Sequence, residues 1–416
     1  MSSKIVIRFP FAHPTFFHYC QRTTQVFEGI KERAMIVTRL ILKNWRNFRT
    51  VDVNLGDRVF LVGPNAAGKS NFLEVFRFLR DITKSEGGGL QNAVAEAGGL
   101  KKIRCLGARG KTDVEIEVYL SDTDDRSTFW RYAIGLNQDT DKTKPHLVYE
   151  RVFRNEDQIL NRPEDNDEDK KDPERLTQTH LESTFANQRF RQVGKFFERV
   201  SYVHLVPQLV RHPERFVASK VTGEPFGLSF MEQLAKTQKG ERTQFLKRIE
   251  KALRIAVPQF KNLKYVEEQN GQPHLQVIYE HWRPQGARQQ EDQFSDGTIR
   301  FIGLFWALLE SSGLMLLEEP ELSLNSEIVR QIPALMYKFA GKLGKQVMVS
   351  THSAALLADA GIGLEEVLLL IPHTEGTDVR RANSFREAME LVEKGMKVGD
   401  AVLPLVNPQQ MDLIEM

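Results

Sequence analysis

Cysteine is nearly absent: Cys20 and Cys105 are the only two in 416 residues. Two thiols cannot build a disulfide framework, and a reducing, cytoplasmic compartment fits. No apolar run approaches the roughly 20 residues that a membrane-spanning helix needs. The reading is a soluble chain, in which any membrane role would need a separate subunit. Charge of one sign is not in excess either, because 57 Lys and Arg stand against 55 Asp and Glu, a net of +2. That balance argues against a wholly basic nucleic-acid coat protein while allowing a local basic patch. Internal repeats are lacking, and so is a long heptad array, which excludes a long coiled-coil arm. What is present is 41% hydrophobic residues, enough for one large α/β core with an appended lobe or for two modest domains.

Residues 1–34 stand apart. Pro10, His13, Pro14 and His18 break any helical period, and the apolar core of a secretory signal is missing. A clean strand pattern, MIVTRLILKNW, begins at Met35. The break points to translation starting at Met35; a flexible N-terminal arm is the alternative. Strands are expected at 36–45, 48–55 and 59–62. An amphipathic helix follows, with Phe72, Val75, Phe76 and Leu79 on one face. Alternating stretches at 113–120, 128–136 and 147–153 predict an antiparallel sheet. Asn155 to Glu182 is dense in charge and reads as a solvated or disordered insertion. Strand pattern returns at 200–206. A helical stretch spans 228–256, with Phe230, Leu234, Phe245, Ile249 and Leu253 as core positions. One strand pair is expected at 262–282. Helix, strand, helix and strand then alternate at 297–311, 314–318, 325–340 and 345–350, the mark of a parallel α/β sheet.

The string GPNAAGKS (Gly63, Pro64, Asn65, Ala66, Ala67, Gly68, Lys69, Ser70) matches the phosphate-loop pattern and sits between a strand and a helix. Its glycines permit a loop whose backbone N–H groups point inward as an anion nest, and the helix start adds its dipole. Lys69 should reach the β- and γ-phosphates of ATP, Ser70 should ligate Mg²⁺, and Asn71 closes the segment. A second element, LMLLEEPELSLN (314–325), is a buried strand ending in two carboxylates. Glu318 is expected beside Mg²⁺ and Glu319 as the carboxylate that orients or deprotonates the attacking water. A lone Glu-Glu pair is usually a solvated loop; the phosphate loop upstream changes that balance. The third element, VMVSTHSAALLAD (347–359), puts His352 at a strand end, where it can donate to a γ-phosphate oxygen. In the fourth, FSDGTIRF (294–301), Ser295 and Gly297 open a helix and make a second anion-binding start. One chain with two such starts and one phosphate loop points to a dimer in which each partner completes the other's ATP site.

These four elements in this order resemble the ABC-type ATPase superfamily, and within it the branch of RecF, SMC-like repair ATPases and OLD-family ATPases. The opening TRLILKNWRNFRTVDVNL is similar to the start of those proteins. The likeness is strong over Met35 to about Arg80 and over Gln293 to about Asp359, and weak over 81–290. It implies an α/β P-loop NTPase: an ABC-ATPase head with a mixed sheet, an antiparallel β subdomain and an inserted helical lobe. The N-terminal half would be 35–217, with a charged insertion at 155–185, the helical lobe 218–290, and the C-terminal half 291–416. By the same resemblance 63–70 is the Walker A loop, 294–298 the signature, 314–319 the Walker B strand, Leu322 to Asn325 the D-loop and His352 the switch histidine. Gln208 would be the Q-loop glutamine that reaches the metal. The signature departs from the transporter form, since it reads Phe-Ser-Asp-Gly-Thr. Glu318 stands where an aspartate is usual, so its contact to Mg²⁺ is expected through water and hydrolysis is expected to be slow.

The implied activity is ATP hydrolysis coupled to dimerisation of two heads, in DNA-related or anti-phage defence work with a separate effector such as a nuclease. About 57 residues follow Asp359, too few for a fused Toprim nuclease, so that effector would be another polypeptide. An ATP-gated scaffold with little hydrolysis is the alternative, and a transporter ATP-binding subunit a more remote one. DNA contact would fall at Lys101, Lys102, Arg104, Arg109 and Lys111, although such a cluster is more often a solvated surface.

Overall fold

The computed structural model describes residues 35–122, 129–139, 144–212, 227, 229–269, 271–280, 286–311, 313–340 and 345–406. The expected leader, 1–34, and the boundary drawn at 217 lie outside them. In chain order come β1 (Met35–Trp45), β2 (Phe48–Asn54), β3 (Arg58–Val62) and α1 (Lys69–Thr83). Next are β4 (Val114–Asp122), β5 (Phe129–Asn137), β6 (His146–Arg154), β7 (Asp157–Arg162), α2 (Arg191–Glu198), β8 (Ser201–Val203) and α3 (Pro207–Arg211). The lobe follows with α4 (Phe230–Lys236), α5 (Lys239–Ala256), β9 (Phe260–Glu267), β10 (Pro273–Tyr279) and β11 (Ala287–Gln290). The last part holds α6 (Asp296–Glu310), β12 (Met315–Glu318), α7 (Ile332–Ala340), β13 (Val347–Thr351), β14 (Val367–His373) and β15 (Gly376–Arg381).

The strands form three sheets. One is antiparallel, in the order β2-β1-β4-β5-β6-β7. The second, β15-β14-β3-β13-β12-β8, is parallel except for β15. Its central strands read RVFLV, MLLE and VMVST, near-continuous apolar runs that suit burial on both faces. Alternate side chains therefore enter two different cores. Val59, Leu61, Leu316 and Met348 join α1 and the antiparallel sheet. Phe60, Val62, Leu317 and Val349 join α6 and the lobe. The third sheet, β11-β10-β9, caps α5.

One buried amide ties the first two sheets together. Gln346 donates from Nε2 to Val37 O and Gly56 O, each at 2.7 Å, and accepts Val37 N–H at 2.8 Å. The side chain thus completes backbone hydrogen bonds that a strand partner would otherwise make.

Several expectations change, among them the single helical stretch at 228–256, which is the two helices α4 and α5. The stretch 155–182 is ordered: β7 extends the antiparallel sheet, and a short helix follows at Asp167–Lys171. Most of its charges stay exposed, but a central few are paired inside. Arg162, 1% exposed, donates to Glu150 (2.9 Å) and Asp169 (2.5 Å), both buried. Glu150 also accepts the N–H groups of His180 and Leu181. Composition cannot separate such a network from a solvated loop, since both are rich in charge. The pair expected at 262–282 is a three-stranded sheet, because the segment at 287–290 adds a third strand. The helix at 325–340 is two pieces, Ser326–Val329 and Ile332–Ala340, with Pro333 in the first turn of the second.

Replacing Arg162 by Leu leaves two buried carboxylates facing each other. The expected cost is about 3–5 kcal/mol of stability, read as a fall in the denaturant midpoint at unchanged slope.

Candidate functional site

The loop 63–68 leaves β3 and enters α1. Gly68 has φ +95°, and a Cβ there would lie 2.2 Å from Asn47 Nδ2. A Cβ on Gly63 would meet Leu370 O at 2.8 Å. Ala66 is also left-handed, φ 63°, so successive N–H groups can turn to one side. No side chain caps α1 at Gly68, which leaves its first-turn N–H groups to face an anion. Pro64 is half-buried, Asn65 and Ala66 are exposed, and Ala67 is buried. Asn47, from the β1–β2 turn, clamps the loop from outside: Nδ2 donates to Ala67 O and to Thr377 Oγ1, both at 2.8 Å. Its Oδ1 accepts Asn71 Nδ2 at 2.9 Å. Asn71 is thereby turned to Asn47, and its carbonyl accepts Trp45 Nε1–H.

Lys69 is buried and donates to Gly63 O (3.1 Å) and Pro64 O (3.2 Å). Its Nζ is 3.9 Å from Glu319 Oε1. Burial pulls its pKa down, against the opposing pull of Glu319, Glu321 and Glu318.

The register of the parallel sheet gathers the other groups. Ser350 pairs with Glu318, and Thr351 with Val62, so the carboxylates, the histidine and the loop leave the sheet together at the C-terminal ends of its strands. Glu318 accepts from Ser70 Oγ and from Tyr202 OH, and His204 Nδ1 is 3.8 Å from its Oε2. Burial, then the charge of Glu318, pushes the Tyr202 phenol far up, so it stays a donor. Glu319 holds a left-handed φ of 42°, unusual for a glutamate and the kind of strain that collects at functional sites. Its N–H donates to Ser350 O at 3.0 Å, and its carboxylate lies 3.2 Å from His352 Nδ1. Glu321 is buried beneath them and accepts Thr351 Oγ1–H at 2.5 Å.

Ser295 and Gly297 sit elsewhere. Ser295 caps α6 by accepting Thr298 N–H at 3.1 Å. Gly297 packs on the turn after Glu319, where a Cβ would meet Ser323 O at 2.6 Å. Among the described contacts none joins either residue to 63–71. Gln208 is exposed on α3, and among the described contacts its side chain reaches neither Glu318 nor Ser70. From the same segment Tyr202 and His204 face Glu318 instead, while Arg211 ties to Asp296 at 2.6 Å and to Phe294 O. The basic cluster is divided. Arg109 pairs with Glu375 and Arg104 with Asn137, while Lys101, Lys102 and Lys111 stay exposed.

Sequence reasoning missed Asn47, Tyr202, His204 and Glu321. Asn47 lies in the NFR string and Glu321 in the EPE string, so both stood beside recognised motifs. Nothing local marks Tyr202, whose partner is 116 positions away. A hydroxyl and a carboxylate oxygen at Ser70 and Glu318 are hard donors that suit Mg²⁺. Among the described residues no three His, Cys, Asp or Glu side chains converge as a metal cage.

Gly68→Ala should lower affinity for a fluorescent ATP analogue by roughly tenfold or more, because φ +95° and the contact with Asn47 both forbid the methyl. An unchanged far-ultraviolet circular dichroism spectrum would assign the loss to the loop.

No curated protein matches the chain in sequence. Among solved structures it is similar to an Smc head bound to the C-winged helix domain of ScpA, with a TM-score of 0.50 and 11% identity, over 85% of this chain and 99% of that one. It is also similar to the SMC head domain of Thermotoga maritima, with a TM-score of 0.46 and 13% identity, over 83% and 98%. The first likeness shows the fold alone: an α/β P-loop NTPase head. No helix among the described residues is long and apolar enough to cross a membrane. A family model described as "AAA domain, putative AbiEii toxin, Type IV TA system" matches residues 58–358, well over half of the chain, and the chain belongs to that family of P-loop ATPases.

Proposed function

We propose that the protein binds ATP with Mg²⁺, pairs two heads around the nucleotide and hydrolyses it. The observation that carries this reading is the convergence of Lys69, Ser70, Glu318, Glu319 and His352 at the C-terminal ends of the parallel strands. In this reading the N–H groups of 63–70 bind the β- and γ-phosphates, and Lys69 moves from the carbonyls of Gly63 and Pro64 to a phosphate oxygen. Ser70 and Glu318 hold Mg²⁺, with Tyr202 orienting Glu318 through its second oxygen. Mg²⁺ supplies charge neutralisation at the phosphates. Glu319 orients the attacking water and takes its proton, and His352 donates to the γ-phosphate.

The signature start supports pairing. Ser295 and Gly297 make no described contact with their own phosphate loop, yet they open α6, a helix start of the kind that suits an anion. A second copy would bring that turn to the first copy's ATP. Gly297 touches the turn that leaves Glu319, so closing the pair would be felt where the water is held. The family description names a toxin of a toxin–antitoxin system. Work in defence, with a separate effector that acts when the heads close, is part of the proposal. The exposed Lys101, Lys102 and Lys111 leave DNA contact as part of the proposal.

Glu319→Gln should lower ATP turnover about 100-fold or more while keeping ATP affinity, since the amide fills the same space but takes no proton. With Mg-ATP the same variant should sediment as a dimer, and adding Ser295→Arg should return it to the monomer. Equal turnover by wild type and Glu319→Gln would reject the hydrolytic role, and a monomer under all conditions would reject the pairing.

A further inference from the structure

Glu321 is a buried carboxylate, 8% exposed, that the mechanism above does not use. It lies in the turn after β12, and that turn departs from ordinary backbone at both Glu319 (φ 42°) and Ser323 (φ 62°). The turn is held by its own hydrogen bonds, Leu322 N–H to Glu319 O and Leu324 N–H to Glu321 O. One oxygen of Glu321 faces the end of β13. Oε1 accepts Thr351 Oγ1–H at 2.5 Å and lies 3.4 Å from the N–H of His352. Thr351 Oγ1 in turn accepts Ser353 N–H at 3.0 Å. The other oxygen, Oε2, is buried with no hydrogen-bond partner.

Burying a carboxylate with one oxygen unsatisfied is costly, and the chain could have placed an apolar residue here. Stability therefore does not account for a glutamate at this position. What it does is close a ring. Glu319 is fixed to β13 through Ser350, and His352 Nδ1 touches Glu319 at 3.2 Å. Without Glu321 the strand end would keep the Ser350 bonds to Glu319 N–H and the direct His352–Glu319 contact, but Thr351 Oγ1 and the N–H of His352 would lose their acceptor in the turn. His352 itself is about half exposed, so packing alone does not hold its ring.

We infer that Glu321 is a positioning residue for hydrolysis: through Thr351 and the N–H of His352 it holds the histidine in register with Glu319. This rests on the proposed ATP hydrolysis. The turn that bears Glu321 also bears Ser323, whose carbonyl lies close against Gly297 at the start of α6.

The test compares Glu321→Gln, Glu321→Ala, Thr351→Ser and Thr351→Val in the full chain. It reads kcat, KM for ATP, equilibrium affinity for a fluorescent ATP analogue and melting temperature. Glu321→Ala and Thr351→Val should lower kcat about tenfold or more, since a displacement of this kind at a reacting group is costly, with ATP affinity held within about twofold. Glu321→Gln keeps an acceptor oxygen and Thr351→Ser keeps the hydroxyl, so both should retain most of kcat. Equal kcat in all four variants, with only the melting temperature lowered in the Ala and Val variants, overturns the inference. So does an equal loss in the conservative and disruptive variants. Wild-type protein that binds ATP but does not turn it over would fail the proposed function itself, and that control is read first.

Discussion

The pairing of β13 between β3 and β12 is the constraint on which the site depends. Val349 lies opposite both Phe60 and Leu317, and that register decides where three chain segments leave the sheet. A slip of one residue would exchange the two faces of β13 and carry Ser350 away from Glu318. The phosphate loop, the two carboxylates and the histidine are distant in sequence and meet only because three short apolar strands are buried on both sides. Burial secures the register, and register secures the chemistry.

Around that constraint the supporting contacts come from the neighbouring sheet. Asn47 fixes Ala67 and Asn71 from a turn between two antiparallel strands, and Gln346 fastens that sheet to the parallel one through backbone groups of Val37 and Gly56. The antiparallel sheet is thus a brace for the phosphate loop. Tyr202 does the corresponding work for Glu318 from β8. The extra methylene of a glutamate at this position lengthens the reach of the carboxylate, and a phenol on the next strand limits where it can point.

Much of this was legible in the sequence, and what was legible was local. A phosphate loop, a strand ending in two carboxylates and a strand ending in histidine each occupy fewer than fifteen consecutive residues, and apolar periodicity places them on strands and helices. The parts that escaped depend on partners far along the chain. The resemblance pointed to Gln208 in this segment, and the segment's described contacts to Glu318 come from Tyr202 and His204, whose partner lies far along the chain. The stretch at 155–182 is solvated over most of its charges, as composition implies, but it is ordered, and composition could not show that Arg162, Glu150 and Asp169 satisfy one another. Asn47 and Glu321 lay in plain view beside known motifs, but the need for them appears only once the turns they anchor have positive φ or a steric limit.

The two cores on either side of the parallel sheet have a consequence for cooperativity. Strand β3 gives Val59 and Leu61 to one core and Phe60 and Val62 to the other, and β12 and β13 divide in the same way. Neither core can melt alone without stripping one face from strands that the other core still holds. The core that packs on α1 and the core that packs on α6 therefore share their strands, which argues that they unfold together even though each is an interior of its own. Residues deep in the lobe pack in the same core as Phe60, Val62, Leu317 and Val349, so that core reaches the strands whose ends carry the site.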